Sequence, residues 1–195
     1  MKFSTTHSFV LASASPRRRE LFSLLNIPFE IQTSDVEETS VKADNVEQYV
    51  TEVALLKTRD IAEKCPGKTI LGADTIVVYE NRLLHKPTST DEAVKHLQTL
   101  SNNAHHVMTA VAILTPDGQE ITFVEKTKVV FKELPLSLIH AYVDTGDPFD
   151  KAGGYGIQTD GALFVDRIEG DYNNVVGLPL ASLVESLLTL KIISI

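Results

Sequence analysis

Three consecutive arginines, Arg17-Arg18-Arg19, directly after Ser13-Ala14-Ser15-Pro16 form the sharpest chemical anomaly of this chain. Ser15 is a natural N-cap and Pro16 suits a first helical position, so the arginines fall in the opening turn of a helix. That end of a helix carries partial positive charge and free N–H groups, which disfavours each cation there by roughly 0.3–1 kcal/mol. A phosphate removes the conflict, because it meets the arginines, the helix end and the Ser13 and Ser15 hydroxyls together. The plain alternative is that the arginines turn outward to solvent.

A second anomaly is Asp74, in Gly72-Ala73-Asp74-Thr75, between Ile70-Leu71 and Ile76-Val77-Val78. A carboxylate inside an apolar strand is costly to bury unless it is paired, hydrogen-bonded or metal-bound. Asp74 could ligate a divalent ion or take a proton from an attacking water; a strand-edge Asp bonded to neighbouring backbone is the alternative. Thr75 faces the other side of a regular strand. The acidic run Asp35-Val36-Glu37-Glu38 could add metal ligands, although alone it reads as solvated surface charge. Lys57, among apolar helix residues, and Lys86, between His85 and Pro87, are candidate phosphate cations or ordinary lysines. His105-His106 lacks a partner at metal-ligand spacing, so no zinc site is read. In Asp147-Pro148-Phe149-Asp150-Lys151-Ala152-Gly153-Gly154-Tyr155-Gly156-Ile157-Gln158 the glycines permit close backbone approach. Tyr155 or Gln158 there could read a flat polar base. No Gly-x-x-x-x-Gly-Lys-Ser/Thr pattern occurs, so this is not a P-loop.

These residues need elements to hold them. A short buried strand is expected at 9–11, a helix from 16 to about 26, a strand at 29–33 and a long amphipathic helix at about 46–64. A strand follows at 68–79, turning at 80–82 into 83–85. Ser89-Thr90-Asp91-Glu92 has the capping-box pattern and opens a helix to residue 100. Residues 106–115 and 120–132 read as a hairpin about Pro116-Asp117-Gly118. A helix is expected at 136–144, a glycine-rich loop at 152–161, a strand at 162–168 and a closing helix at 180–190. The class is mixed α/β.

The 195 residues suffice for one large domain or two small lobes, and 43% hydrophobic with 23% charged content is ordinary for a globular protein. A net charge of −8 argues against general nucleic-acid or anionic-membrane binding, so any anion site must be local. The single cysteine, Cys65, cannot form an internal disulfide and reads as an incidental thiol in a reducing compartment. Residues 1–10 are too short and polar for a signal-peptide core, and no apolar run approaches a membrane span. A cytoplasmic protein is expected.

Taken in order and spacing, several of these runs resemble the Maf family of septum-formation-inhibitor-like nucleotide pyrophosphatases, from about residue 9 to 188. They are Leu11-Ala12-Ser13-Ala14-Ser15-Pro16-Arg17-Arg18, Val36-Glu37-Glu38, Gly72-Ala73-Asp74-Thr75, Lys86-Pro87, Val107-Met108-Thr109-Ala110-Val111, the Lys151-to-Gln158 run and Val176-Gly177-Leu178-Pro179. The resemblance implies a mixed, twisted sheet flanked by helices, with two lobes around a central cleft in a single domain over residues 1–195. The implied fold is similar to that of the inosine triphosphate pyrophosphatases.

It also implies hydrolysis of a nucleoside triphosphate between its α- and β-phosphates with a divalent metal, Mg²⁺ or Mn²⁺. Asp74 matches the family's catalytic proton acceptor and, with Glu38, is the expected metal ligand. Ser13, Arg17, Arg18, Glu38, Lys57 and Lys86 fall on positions associated with phosphate or metal handling. Arg17, Thr75 and Gln158 fall on positions linked to substrate choice. The Ala-Gly-Gly-Tyr-Gly-Ile-Gln run is similar to the branch acting on dTTP and UTP rather than the branch preferring 7-methyl-GTP, with removal of non-standard nucleotides a conceivable task. Gly154 and Thr159 stand where that branch often carries Ala and Gly, and Asn102 replaces a glycine common after Leu-Ser. Thr159 therefore bears on loop geometry near Gln158. The competing expectations are a pyrophosphatase for another modified nucleotide, a non-catalytic nucleotide-binding regulator of cell division, and a plain interaction domain. A triphosphate is the expected partner, with no nucleic-acid polymer or membrane; the resemblance allows a homodimer.

Overall fold

The computed structural model describes residues 2–195. Strand β1 (Phe9–Ala12) is buried at every position, as expected of a strand covered on both faces. It runs parallel to β2 (Phe29–Ile31) on one side and β3 (Thr69–Tyr79) on the other, pairing Phe9 with both Phe29 and Thr69, and Ala12 with Gly72. Parallel neighbours cannot be joined by a tight turn. The crossovers are α1 (Pro16–Ser23) and α2 (Val46–Lys64).

The remaining elements are β4 (Arg82–Leu84), α3 (Thr90–Leu100), β5 (Ala104–Leu114), β6 (Glu120–Phe131), α4 (Leu136–Val143), β7 (Val165–Glu169), α5 (Tyr172–Val176) and α6 (Leu180–Thr189). Among the described residues the strands form one seven-stranded mixed sheet in the order β2-β1-β3-β5-β6-β7, with β4 paired antiparallel to β3. The chain divides into two compact units: residues 1–74, 109–125 and 177–195, and residues 75–108 and 126–176.

In the first unit Val10, Ala12, Ile61 and Ile70 pack together, with Cys65 against them as a free thiol at the end of α2. Helix α2 presses on β3 at Gly72, where a Cβ would collide with the Thr58 hydroxyl and stand 3.1 Å from the Ala54 carbonyl. The second unit has an apolar cluster of Val77, Leu97, Val107, Phe131, Tyr142, Tyr155 and Phe164, among others.

Several sequence expectations need adjustment. Helix α1 stops at Ser23, three residues early, and Leu24, Leu25 and Asn26 close the segment with bonds to residues three back. Asn26 then takes a left-handed φ of 53°, which a short polar side chain tolerates. The Ser89 hydroxyl caps Glu92 N–H as expected, but Glu92 does not complete the box on Ser89; it accepts from Thr88 N–H and Oγ1 at 2.8 Å. The strand expected from 162 starts only at Val165, because Asp160–Phe164 is a 3₁₀ turn. The short helix α5 gave no periodic signal. Among the described residues no helix is long and apolar enough to cross a membrane.

Candidate active site

The carboxylate in β3 is paired. Asp74 is 8% exposed, and Lys57 Nζ donates to its Oδ1 at 2.8 Å. The same ammonium stands 2.7 Å from Glu38 Oε1. Glu38 opens a single 3₁₀ turn, Glu38–Ser40, in the run between β2 and α2. Of the acidic run, Glu38 thus reaches the same ammonium as Asp74, although it is exposed like Asp35 and Glu37. Lys57 sits beside Thr58, the residue that touches Gly72, so the closeness of α2 to β3 carries the lysine to a carboxylate two residues further along the strand.

The arginine-bearing turn emerges at the same end of β1. Ala12 pairs with Gly72, so Ser13 leaves the sheet alongside Ala73 and Asp74. Ser15 caps α1 by accepting from Arg18 N–H at 3.4 Å, and Ser13 Oγ accepts from Ser15 N–H at 3.2 Å. Arg18 does not turn outward: its Nε donates to the Gly177 carbonyl at 2.8 Å and its Nη1 to Ser13 Oγ at 3.4 Å. Burial disfavours the charged guanidinium, and the Asp74 carboxylate opposes that effect; an arginine keeps its proton in proteins regardless. Arg17 is half-buried and Arg19 exposed, so the three arginines have three environments. Ser13, Arg18, Glu38, Lys57 and Asp74 all belong to the first unit.

The other three candidates belong to the second unit. Thr75 follows Asp74 in β3 and is half-buried. Lys86 is exposed after β4. Its neighbour His85 accepts from Gly153 N–H at 3.2 Å, tying the lysine segment to the glycine-rich run. Gln158 is exposed between the 3₁₀ turns Ala152–Gly154 and Asp160–Phe164. Tyr155, the alternative base reader, is instead buried, its hydroxyl 2.7 Å from His105 Nε2 and its ring edge-on to Phe131. Its environment is core.

Two participants were not singled out from sequence. Tyr49, eight residues before Lys57 on α2, is half-buried; burial raises its phenol pKa, and Asp74 and Glu38 raise it further. Helical spacing from Lys57 is the signal that could have found it. The Gly177 carbonyl that holds Arg18 lay within a quoted motif, but nothing local marks a backbone oxygen as a partner.

Comparison with known proteins places the chain in a family. The profile of the family described as Maf-like protein matches residues 8–190. The chain belongs to the Maf family. Among its Maf relatives, a protein of Geobacillus sp. (strain WCH70) named dTTP/UTP pyrophosphatase is 51% identical over 172 residues, 88% of this chain and 92% of that one. A Bacillus cereus protein of the same name is 49% identical over 178 residues, 91% and 93% of the two chains. In fold the chain is similar to a HAM1 protein from Coxiella burnetii, with a TM-score of 0.56 at 16% identity over 94% of this chain and 99% of that one.

The donor set of this Maf chain fits a hard divalent cation. Glu38 and Asp74 already bring two carboxylate oxygens to one positive centre, the Lys57 ammonium. Among the described residues no three His, Cys, Asp or Glu side chains gather into a metal cage. Magnesium commonly takes one or two carboxylates and completes its shell with water and substrate phosphate oxygens. Two carboxylates beside an arginine-bearing helix start match that pattern.

Proposed function

We propose that this chain hydrolyses dTTP and UTP between the α- and β-phosphates, releasing the nucleoside monophosphate and pyrophosphate. The observation that carries the reading is Lys57, with its ammonium between Glu38 and Asp74 at 2.7 and 2.8 Å. Neighbouring Ser13 and Arg18 add phosphate-binding chemistry. The choice of pyrimidine bases draws on the relatives named dTTP/UTP pyrophosphatase at 51% and 49% identity.

Asp74 orients a water and accepts its proton, the task of a buried carboxylate with its position fixed by a cation. Arg18, anchored through Nε to Gly177, directs the rest of its guanidinium to phosphate oxygens, with Arg17, the Ser13 hydroxyl and the α1 N-terminus beside it. These cations are arranged before substrate arrives, so they stabilise developing charge without reorganising. Asp74 and Glu38 would hold Mg²⁺ or Mn²⁺, which would supply Lewis-acid stabilisation of the phosphate charge. Lys57 holds the two carboxylates in register. Thr75, Lys86 and Gln158 are assigned as further substrate contacts, Gln158 to the base. The reading extends to a cytoplasmic homodimer whose partner is a free nucleotide, consistent with a net charge of −8.

Purified protein with dTTP or UTP and Mg²⁺ or Mn²⁺ tests this directly. The expected products are monophosphate and pyrophosphate, lost on adding a chelator. Diphosphate and orthophosphate would overturn the cleavage position. Binding without turnover would favour a nucleotide-binding regulator, and preference for 7-methyl-GTP would move the base assignment.

A further inference from the structure

The turn that presents Gln158 is tied at both ends to one carboxylate oxygen. Gly156 N–H donates to Tyr142 Oη at 3.1 Å, and Tyr142 Oη donates to Asp147 Oδ2 at 2.5 Å. On the far side of Gln158, Thr159 Oγ1 donates to the same Oδ2 at 2.6 Å. Thr159 N–H closes the turn onto the Gly156 carbonyl at 3.3 Å. The other oxygen, Asp147 Oδ1, accepts from Lys151 Nζ at 2.9 Å, and that lysine is 8% exposed. Its stem runs under Gly156, where an added Cβ would lie 2.5 Å from both Lys151 Cε and Thr159 Oγ1. The contact explains why this position has no side chain.

An exposed glutamine in a glycine-rich run would ordinarily sample many conformers, and ordering it on binding would cost affinity. Here Ile157 and Gln158 are the only residues between two points fixed to one buried-edge anion. Hydrogen bonds to an ionised carboxylate are about twice as strong as neutral ones, so the tether is stiff. Burial alone would raise the Asp147 pKa, but the bonds from Thr159, Tyr142 and Lys151 outweigh it and hold the carboxyl below its ordinary value. Both carboxylate oxygens act as acceptors here. An amide would replace one acceptor by a donor and face either two hydroxyl donors or an ammonium.

We propose that Asp147 is a positioning residue for base choice: through Tyr142 and Thr159 it sets the turn Gly156–Thr159 so that the Gln158 amide meets the base in one orientation. The proposal rests on the assignment of Gln158 to the base and adds the device that makes it selective.

The test is a double-mutant cycle between Thr159→Val and Gln158→Ala, with kcat and KM for dTTP, UTP, CTP and GTP. Thr159→Val keeps the volume of an exposed side chain and deletes the donor to Asp147. Expected is a loss of about 10-fold in preference for dTTP over GTP, the size of one hydrogen bond to a charged group. It should come through KM, with kcat little changed. In the Gln158→Ala background the same substitution should change the preference no further. Full retention of preference in Thr159→Val, or an equal loss with and without Gln158, would overturn the positioning role while leaving the base assignment intact. Unchanged preference in Gln158→Ala alone would remove the base assignment and this proposal with it. Amide hydrogen exchange supplies a readout independent of turnover. Gly156 should exchange faster in Tyr142→Phe and Thr159→Val than in the parent, and unchanged exchange in both would refute the tether.

Discussion

Lys57 and Asp74 stand seventeen residues apart in sequence and 2.8 Å apart in space, and a glycine sets that distance. Gly72 lies two residues before Asp74, and Thr58 one residue after Lys57. The missing Cβ at Gly72 lets the Thr58 hydroxyl, which bonds the Ala54 carbonyl at 2.7 Å, sit directly on the strand. Helix α2 therefore approaches β3 closely enough for a lysine to neutralise a buried carboxylate.

Gly72→Ala should push α2 off β3. Overpacking of this kind costs about 1–3 kcal/mol, and here it also separates Lys57 from Asp74. A drop in Tm with a disproportionate fall in turnover is expected. Adding Thr58→Ala should recover part of both, because it removes the nearest obstacle. Gly72→Ala with parental Tm and parental activity would mean that the close approach does not matter.

Asp74→Asn should fold and lose roughly 10²–10⁴ in kcat, the usual scale for a general base. The amide can still face Lys57 through its oxygen, so thermal unfolding should shift far less than activity. Near-normal turnover in a folded Asp74→Asn protein would remove Asp74 from the chemistry.

Arg18→Lys tests the two-sided use of the guanidinium. A lysine cannot hold the Gly177 carbonyl and face phosphate oxygens in the same fixed fork. A loss of about 10- to 100-fold in kcat/KM is expected, the equivalent of one hydrogen bond to a charged group. The loss should persist at high salt, because it reflects geometry and not net charge.

His105 makes the fold sensitive to acid. Its pKa is lowered from 6.5 to about 3, by burial first and by the His106 charge second. In the unfolded chain the imidazole takes up a proton near pH 6.5, so between there and about 3 the unfolded state binds more protons. The stability contributed by keeping His105 neutral is complete above pH 6.5 and is lost as pH falls below it, at up to about 1.4 kcal/mol per pH unit. Urea midpoints at pH 7.5 and 5 should diverge more for the parent than for His105→Asn. Identical pH dependence in the two proteins would show that His105 does not carry the effect.

Much of the frame was readable without coordinates. The boundaries of α2 matched the expected 46–64, because apolar residues recur at helical spacing along its 19 residues and Asn45 caps it. Ser15-Pro16 placed the start of α1 for the same local reason. The end of α1 and the start of β7 were missed, since a 3₁₀ turn and a short helical run leave no period long enough to detect.

At the level of chemistry, the sequence by itself determined which groups were out of place: arginines at a helix start and an aspartate in an apolar strand. Each is anomalous because of its immediate neighbours, and neighbours are what a sequence records. Tertiary structure alone decided the partners: Lys57 for both Asp74 and Glu38, the Gly177 carbonyl for Arg18, and one Asp147 oxygen for the two ends of the Gln158 turn. Tyr155, equal to Gln158 as a base reader on paper, was removed from that role by burial against His105 and Phe131. Hydrogen bonds act over about 3 Å, and that proximity is created when helices and loops pack on the sheet, far from any pattern in the local chain.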